Sequence, residues 1–390
     1  VACQIRIQLV RNSATDVVGF KTGEVHRMRR HQLKRPSLHQ RVGASCSPCT
    51  QLLRKGLLLG ILIVLAGCEP SAFEGGLSRY LEGIERILGQ IPAKASEMGP
   101  IRPPSATPPV KLALQDDHRL DFADYLKATP CALHQLISQR NSSLGQFATD
   151  STRLIYTVKF LQLVDPCIAY LSEENPNLAD QLRAASLDKQ ERLPGLLRST
   201  ILSGPEYHAF WKPPQSLGDY PRTVQSDLEV DFKALIADVA SLRDGAFKDT
   251  AGSFNSKLSG LNKGEGGLML AAWEDVSQSW EIANVMISAF KAKRPLCYLN
   301  RSNPRAENFQ GLVRTVFIDS IQPQISALNR RTYALMPLVH QLESDLGAGM
   351  APDFRAFVTQ RTQRIEAGRQ ALRDHVALLG DLFDSCGGIT

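Results

Sequence analysis

The stretch NKGEGGLMLAAWEDVSQSWEIANVMISAF, residues 262–290, decides the fold. Met269, Trp273, Val276, Trp280, Ala283, Ile287 and Phe290 follow one another in alternating steps of four and three residues. That is the seam spacing of a helix packed against other helices. Both tryptophans fall on the seam, so this helix is expected to wall the core. The glycines ahead of it admit two readings: a flexible helix start, or free backbone N–H groups that hold an anion. The order G-x-x-x-x-G-K-[ST] is missing and Glu265 would repel phosphate, so the first reading is preferred.

Working outward, a second helical pattern runs from about Arg305 to Leu346, with Pro323 and Pro337 expected to bend or break it. GAGMAP then turns the chain. The last helix, Asp353 to Ser385, carries Phe354, Val358, Ile365, Leu372, Leu379, Phe383 and Cys386 on one broad stripe. Three long helices of this kind make an antiparallel bundle the economical arrangement. Toward the N-terminus, Leu228 to Leu242 reads as a helix and Ser203 to Tyr220 as a Pro/Gly-rich break. Leu178 to Leu197 is helical again. Residues 131–141 and 151–164 read as two helices separated by SSLGQFATDS, with Gly145 as a stop and Asp150 or Ser151 as the next cap. Leu77, Tyr80, Leu81, Ile84, Ile87 and Leu88 mark a first amphipathic helix. Six prolines between 92 and 109 follow it, a stiff connector expected to lie along the surface. No stretch has the sustained alternation of a strand bounded by hairpin turns. The expected fold is all-α, an elongated helical bundle with long antiparallel C-terminal helices. A leader (1–67) and an anchor with its connector (68–118) precede a helical body (119–390), divisible into lobes 119–245 and 246–390.

The leader contains RKGLLLGILIVLAGCEP, residues 54–70. Its uncharged run, residues 56–67, is too short to cross a bilayer, which takes about 20 residues. A basic pair, an apolar run and small residues are the parts of a secretory signal. Leu65-Ala66-Gly67-Cys68 resembles the bacterial lipobox. That resemblance implies lipid on Cys68, a mature chain beginning there, and a membrane anchor. Glu69, where inner-membrane retention usually has Asp, implies the periplasmic face of the outer membrane. The 53 residues before Arg54 are long for a signal, and a start at Val42 gives an ordinary length. Cys46-Ser-Pro-Cys49 looks like a redox pair but precedes the cleavage point.

Charge and cysteine use change once the leader is set aside. The whole chain is +6. The first 67 residues hold 11 Lys and Arg against 2 Asp and Glu, leaving 34 against 37 beyond them, a net of −3. Nucleic acid is therefore not an expected partner. Beyond Cys68 lie Cys131, Cys167, Cys297 and Cys386, which in an oxidising compartment suggest two disulfides. A helical hairpin folded near Thr149 places Cys131 opposite Cys167, and Cys297 and Cys386 then pair with each other.

No ordered catalytic or metal-ligating series stands out. Ser186-Leu-Asp-Lys189 matches the S-x-x-K of serine acyl enzymes, but no K-T-G accompanies it and its surroundings are those of an amphipathic helix. Asp116-Asp117-His118 reads as a solvated connector end, and no metal or cofactor is expected. Two stretches concentrate polar groups on the scaffold, as binding sites do. HQLISQRNSSLGQ (134–146) offers Arg140, Asn141, Ser142 and Ser143; SGPEYHAFWKPP (203–214) offers Glu206, His208 and Trp211. The alternative is that Arg140 and Asn141 cap helices while Phe210 and Trp211 plug the bundle.

QRNSSLG, GPEYHAFW, the first cysteine pair and the lipobox together resemble an uncharacterised family of proteobacterial lipoproteins, domain of unknown function 3080, most closely over residues 57–215. The resemblance implies a lipoprotein and transfers no activity. The expected function is a lipid-anchored periplasmic binding or scaffolding module with an envelope protein or ligand as partner. The competing expectations are an envelope hydrolase using Glu206, His208 and Arg140, and a structural brace between outer membrane and cell wall.

Overall fold

The computed structural model describes residues 71–91, 99–104, 131–141, 149–222, 227–244, 246–247, 252–299, 301–347 and 352–387. Cys68, Ser142, Ser143 and Asp116-Asp117-His118 lie outside these residues, as does the side chain of Asn141. Among the described residues the regular structure is helical, with one isolated antiparallel bridge between Tyr298 and Arg301.

Helix α1 (Ala72–Leu88) opens with a capping box: the Ser71 hydroxyl accepts from the Glu74 N–H while the Glu74 carboxylate accepts from the Ser71 N–H. Gly89, at φ 66°, stops it in the left-handed conformation. Helices α2 (Ala132–Asn141), α3 (Asp150–Glu174) and α4 (Pro176–Leu202) follow. Asn175 both closes α3 and caps α4, which folds the two into a hairpin. Both are longer than their patterns suggest, because Pro166 and Pro194 sit inside them without ending them. The Pro/Gly-rich break holds a short helix, α5 (Pro205–Phe210); α6 (Leu228–Arg243) and α7 (Ser253–Gly260) complete the middle of the chain.

The long C-terminal helices are α8 (Glu265–Lys291), the run from α9 (Pro304–Leu312) into α10 (Gln322–Asp345), and α11 (Pro352–Phe383). Pro323 does not break this run. The nine residues Val313–Ile321 widen into a π-helix and pass directly into α10, the Gln322 N–H reaching back five residues to the Phe317 carbonyl. A proline donates no backbone hydrogen bond, and the widened turn carries the chain past that missing donor. Pro337 lies inside α10, likewise without a break.

The bundle runs up, down and up. Phe317 meets Trp280 of α8, and Phe309 stacks on Phe383 of α11, so the α9–α10 run is antiparallel to both neighbours. The closest packing, however, is between the first and third long helices, which are parallel. Glu274 pairs with Arg364, Asn284 Nδ2 donates to the Ala371 carbonyl, and Lys291 meets Asp381. The Cys297–Cys386 disulfide, Cα–Cα 5.0 Å, closes this pair at its upper end. Gly368 makes the approach feasible, since a Cβ there would lie 2.8 Å from the Trp273 carbonyl oxygen. Helix α1 joins the same face: Tyr80 contacts the rings of Trp280, Phe317 and His375. The seam read from the sequence is buried throughout, with Trp273, Trp280, Ala283 and Ile287 fully inaccessible. At about 1.5–3 kcal/mol per large side chain, such a seam supplies a substantial share of the hydrophobic stabilisation.

The chain from Pro70 onward is one compact unit, but its buried side chains form two clusters. The main core takes in α1, α5, α6 and the C-terminal helices, together with Leu154, Ile155 and Val158 at the start of α3 and Leu196, Leu197 and Ile201 at the end of α4. A smaller cluster holds Leu133 and Ile137 of α2, Phe160, Val164 and Leu171 of α3, and Leu178, Leu182 and Ala185 of α4. The division between clusters thus falls within α3 and α4. Cys131 and Cys167, Cα–Cα 5.4 Å, staple α2 to α3 inside the smaller cluster.

Candidate binding site at the root of the helical hairpin

Among the described residues, those of the 203–214 stretch are absent from the lining of the pocket that contains Arg140. Residues 205–210 fold as α5 and turn their rings into the main core, where Tyr207, Phe210 and Trp211 are at most 1% exposed. The Tyr207 O–H donates to a Glu343 carboxylate oxygen. Glu343 in turn takes two N–H donors from Arg361, at 2.6 and 2.9 Å, and the Arg361 guanidinium lies 4.7 Å from the Trp211 ring. Burial, followed by the Glu343 charge, pushes the Tyr207 hydroxyl well above the ordinary tyrosine range. Trp211 is therefore a plug and a lid on a buried ion pair, not a surface contact.

The glycine-rich turn in front of α8 has the same purpose. A Cβ on Gly266 would stand 2.6 Å from the Phe210 ring, and one on Gly267 would collide with the Lys212 carbonyl. The glycines let the 210–212 segment cross the start of α8, which is a packing role and not anion binding. Glu265 is itself committed, paired with Arg331, whose Nη1 also reaches Glu229 at 2.7 Å.

His208 is partly exposed. Burial lowers its basicity, countered by a hydrogen bond to the Pro104 carbonyl. Pro103 is buried, Ile101 packs on the main core, and Arg364 donates to the Gly99 carbonyl at 2.6 Å. The described part of the connector is therefore laid along the body. Glu206 is partly exposed in the first turn of α5. Neither it nor His208 is among the residues that line the pocket containing Arg140.

A second buried polar chain went unread in the sequence. His375 Nδ1 lies 2.8 Å from Asn284 Oδ1 and its Nε2 lies 3.0 Å from the Tyr80 hydroxyl. An amide oxygen only accepts, so Nδ1 carries the proton and Nε2 accepts from Tyr80. Burial pushes His375 down to about 3, so the ring is neutral, and it stacks on Trp280 with centroids 4.4 Å apart. The arrangement resembles a catalytic relay in its partners, but its Tyr80 and His375 are fully buried among the rings of Trp280 and Phe317.

Arg140 is different. It lies at the root of the α3–α4 hairpin, where the two hydrophobic clusters meet, and lines a pocket with Asp150, Arg153, Tyr156 and Thr157 of α3 and Asp188, Lys189 and Arg192 of α4. Asp188 pairs with Arg192 at 2.7 Å and Asp150 with Arg153 at 3.6 Å. The Arg140 guanidinium and the Lys189 ammonium each lie 5.8 Å from the centre of the Tyr156 ring, and Lys189 is also 5.2 Å from Phe160. Lys189 is 8% exposed and Ser186 5%. The S-x-x-K spacing thus puts both side chains on the inner face of α4, as successive turns of a helix require. On another side of the same hairpin, Leu161, Leu193, Leu197 and Leu242 line a cleft of about 460 Å³ with Gln162, Gln190 and Arg243 among its polar groups. That volume lies in the range of small-molecule sites. Leu193 borders both openings. No group of three or more His, Cys, Asp or Glu side chains that could hold a metal occurs among the described residues.

A bundle of stapled helices with a charged opening where two cores meet defines a class of helical scaffold; sequence comparison places it more closely. A family model described as "Protein of unknown function (DUF3080)" matches residues 77–389, and the chain belongs to that family. The match extends through the C-terminal bundle, well beyond residues 57–215, and takes in both disulfides while leaving the lipobox outside. No curated protein and no solved structure matches the chain.

Proposed function

We propose that this chain is a lipid-anchored binding module of the bacterial cell envelope, tethered through Cys68 on the periplasmic face of the outer membrane. The basic pair, short apolar run and Leu65-Ala66-Gly67-Cys68 support the anchor, and Glu69 supports the outer membrane. The single observation that carries the binding role is the hairpin root. There a pocket with more cations than carboxylates opens between two clusters, lined from α2, α3 and α4, the first two of which are joined by a disulfide. Polar groups on rigid elements are how binding sites are built.

The anchor test is fractionation of a Cys68→Ser variant. Release from membranes is the expected result, and a variant that stays bound overturns the anchor. The binding test is crosslinking in intact envelopes, comparing the native chain with an Arg140→Gln, Arg192→Gln variant. A partner or ligand captured by the first and lost from the second is expected. Capture that ignores the substitutions, or turnover of envelope substrates by purified protein that captures nothing, overturns the reading.

A further inference from the structure

We infer that the tip of the bundle closed by the Cys297–Cys386 bridge, with Tyr298 and Leu299 at its apex, is a docking surface for an anionic lipid bilayer, a contact separate from both Cys68 and the hairpin root. After α8 ends at Lys291 the chain reads AKRPLCYLNRSN, residues 292–303, before α9 begins. Leu296 and Cys297 are buried, and the Cys297 N–H donates to the Ser385 hydroxyl at 3.2 Å. The Asn303 amide donates to the Leu296 carbonyl at 2.8 Å while its oxygen caps α9, and the Arg301 N–H donates to the Tyr298 carbonyl at 3.0 Å. The base of the tip is thus fixed, and its apex faces solvent. Leu299 is 92% exposed and Tyr298 64%. Among the described residues Leu299 is also the one residue other than glycine with a left-handed backbone, at φ 52°. A leucine gains nothing from that conformation, so strain is borne here to hold an apolar side chain out in water. Strain of this kind points to function.

The charges around the apex give the partner's chemistry. Lys291, Lys293, Arg294, Arg301 and Arg305 are all exposed, and no acid lies between residues 291 and 305. Beside this segment, α11 brings Asp381, in a surface pair with Lys291 at 3.0 Å, and Asp384; α9 brings Glu307, and the last turn of α1 adds one charge of each sign, Glu85 and Arg86. This end carries a net of +2, where the chain beyond residue 67 carries −3. Lys293 Nζ donates to Gln90 Oε1 at 3.3 Å, which sets Ile91, 86% exposed, on the same end. Leu299 and Ile91 are the two most exposed large apolar side chains among the described residues. A tyrosine at headgroup level, aliphatic side chains at the acyl boundary and cations on anionic headgroups are the parts of an interfacial membrane contact. An acidic polysaccharide would use the cations but leave Leu299 in water. Tyr80 meets Trp280 and Gln90 meets Lys293, so α1 and α8 are parallel and the tip stands from Ser71 by the length of α1, about 25 Å. A chain held at both Cys68 and the tip therefore lies with α1 along the bilayer.

The test uses the full-length Cys68→Ser chain, which removes binding through its own lipid, and sedimentation with phosphatidylcholine vesicles with and without phosphatidylglycerol. Binding to the anionic vesicles should be about tenfold tighter at low salt and should fade as salt screens the cations. Leu299→Asn should weaken it about tenfold, as should the pair Arg301→Gln, Arg305→Gln. Asparagine accepts a left-handed backbone more readily than leucine, so Leu299→Asn should melt no lower than its parent, and its lost binding is then not lost folding. Tyr298→Trp reports insertion directly, because the three native tryptophans are at most 1% exposed. Its emission should shift to the blue on anionic vesicles and be quenched by brominated acyl chains. No binding, equal binding to neutral vesicles, or binding indifferent to Leu299→Asn overturns the inference. So does a protein crosslinked through Tyr298 in envelopes when vesicles are not bound. Salt releases the tip but not an acyl anchor, so a high-salt wash separates the two membrane contacts. A Cys68→Ser chain that stays in membranes after the wash counts against the lipid anchor alone; absent vesicle binding counts against the tip alone.

Discussion

Arg361 and Lys189 are both buried cations beside aromatic rings, one in the main core and one at the hairpin root. Arg361 meets Glu343 through two hydrogen bonds, with Tyr207 bound to the same carboxylate and the Trp211 ring alongside. Lys189 shares Tyr156 with a second cation and borders a cavity. In the core, opposite charges sit against each other and rings fill the space around them. At the root, four cations and two carboxylates line a space. The first arrangement resists ligands and fixes helix register; the second leaves a charged space that is open to one. Function in this scaffold is therefore sought where the two hydrophobic clusters fail to merge, not where its most elaborate polar network lies.

The largest expected effect comes from breaking the core pair. Arg361→Met should destabilise the chain by about 3–5 kcal/mol, because it strands the buried Glu343 carboxylate and removes the cation from the Trp211 ring. Adding Glu343→Leu to that variant should recover much of the loss, since well-packed apolar groups can replace a buried ion pair at little cost. Urea unfolding of the single and double variants checks both. A single variant as stable as the native chain would mean the pair is not desolvated as described.

Half of this core was legible in the sequence, and the other half was concealed for a physical reason. The α8 seam consists of Met, Trp, Val, Ala, Ile and Phe, so spacing alone revealed it. On α11 only one of the two inward rows is apolar. Val358, Ile365, Leu372 and Leu379 recur every seven residues and were read; Arg361, Gly368 and His375 recur at the same interval on the adjacent row and were not. Each of these three is buried because of a partner far away in the chain: Glu343 for the arginine, the Trp273 backbone for the glycine, Tyr80 and Asn284 for the histidine. A seven-residue interval of non-apolar residues beside an apolar stripe is the signal that would have found them. The candidate site divided in the same way. The Cys131–Cys167 hairpin could be measured along the chain and the two cysteines are indeed bridged, as are Cys297 and Cys386. Arg140 was named, but Lys189 and Tyr156 join it only through the fold of α3 against α4. For Trp211 the sequence leaves open a binding contact and a plug of the bundle, because its neighbouring prolines say that the segment is irregular and nothing about which way its rings turn; the structure has the plug.

A smaller and more local effect should follow removal of the staple between α2 and α3. Replacing Cys131 and Cys167 with serine frees a loop of sequence separation 36, for which the chain-entropy model gives about 4 kcal/mol as an upper figure. The loss should concentrate in α2 and the outer halves of α3 and α4, which depend on the smaller cluster. Amide exchange there should quicken while α8 and α11, held by the main core and the Cys297–Cys386 bridge, stay protected. Equal acceleration in all helices would show that the two clusters unfold as one and would dissolve the comparison.

The mildest prediction concerns pH and sets a half-buried carboxyl against a buried imidazole. Burial pushes Asp275 up to about 7, with the charges of Glu74 and Glu274 adding to it. The folded chain therefore holds a proton that the unfolded chain releases near 3.8. Its contribution to stability is complete below that value and is lost as pH rises through about 7. His375 acts in the opposite sense: folding keeps the ring neutral down to about 3, so its contribution is complete above 6.5 and is lost as pH falls. Tm measured across pH should accordingly decline on both sides of a mildly acidic optimum. Asp275→Asn should remove the decline between pH 5 and 8 and leave the acid limb, because asparagine carries no proton to lose. A decline that persists in Asp275→Asn would mean that the carboxyl is already ionised in the folded chain, and that the contact of α1 with α8 near Glu74 is wetter than its burial implies.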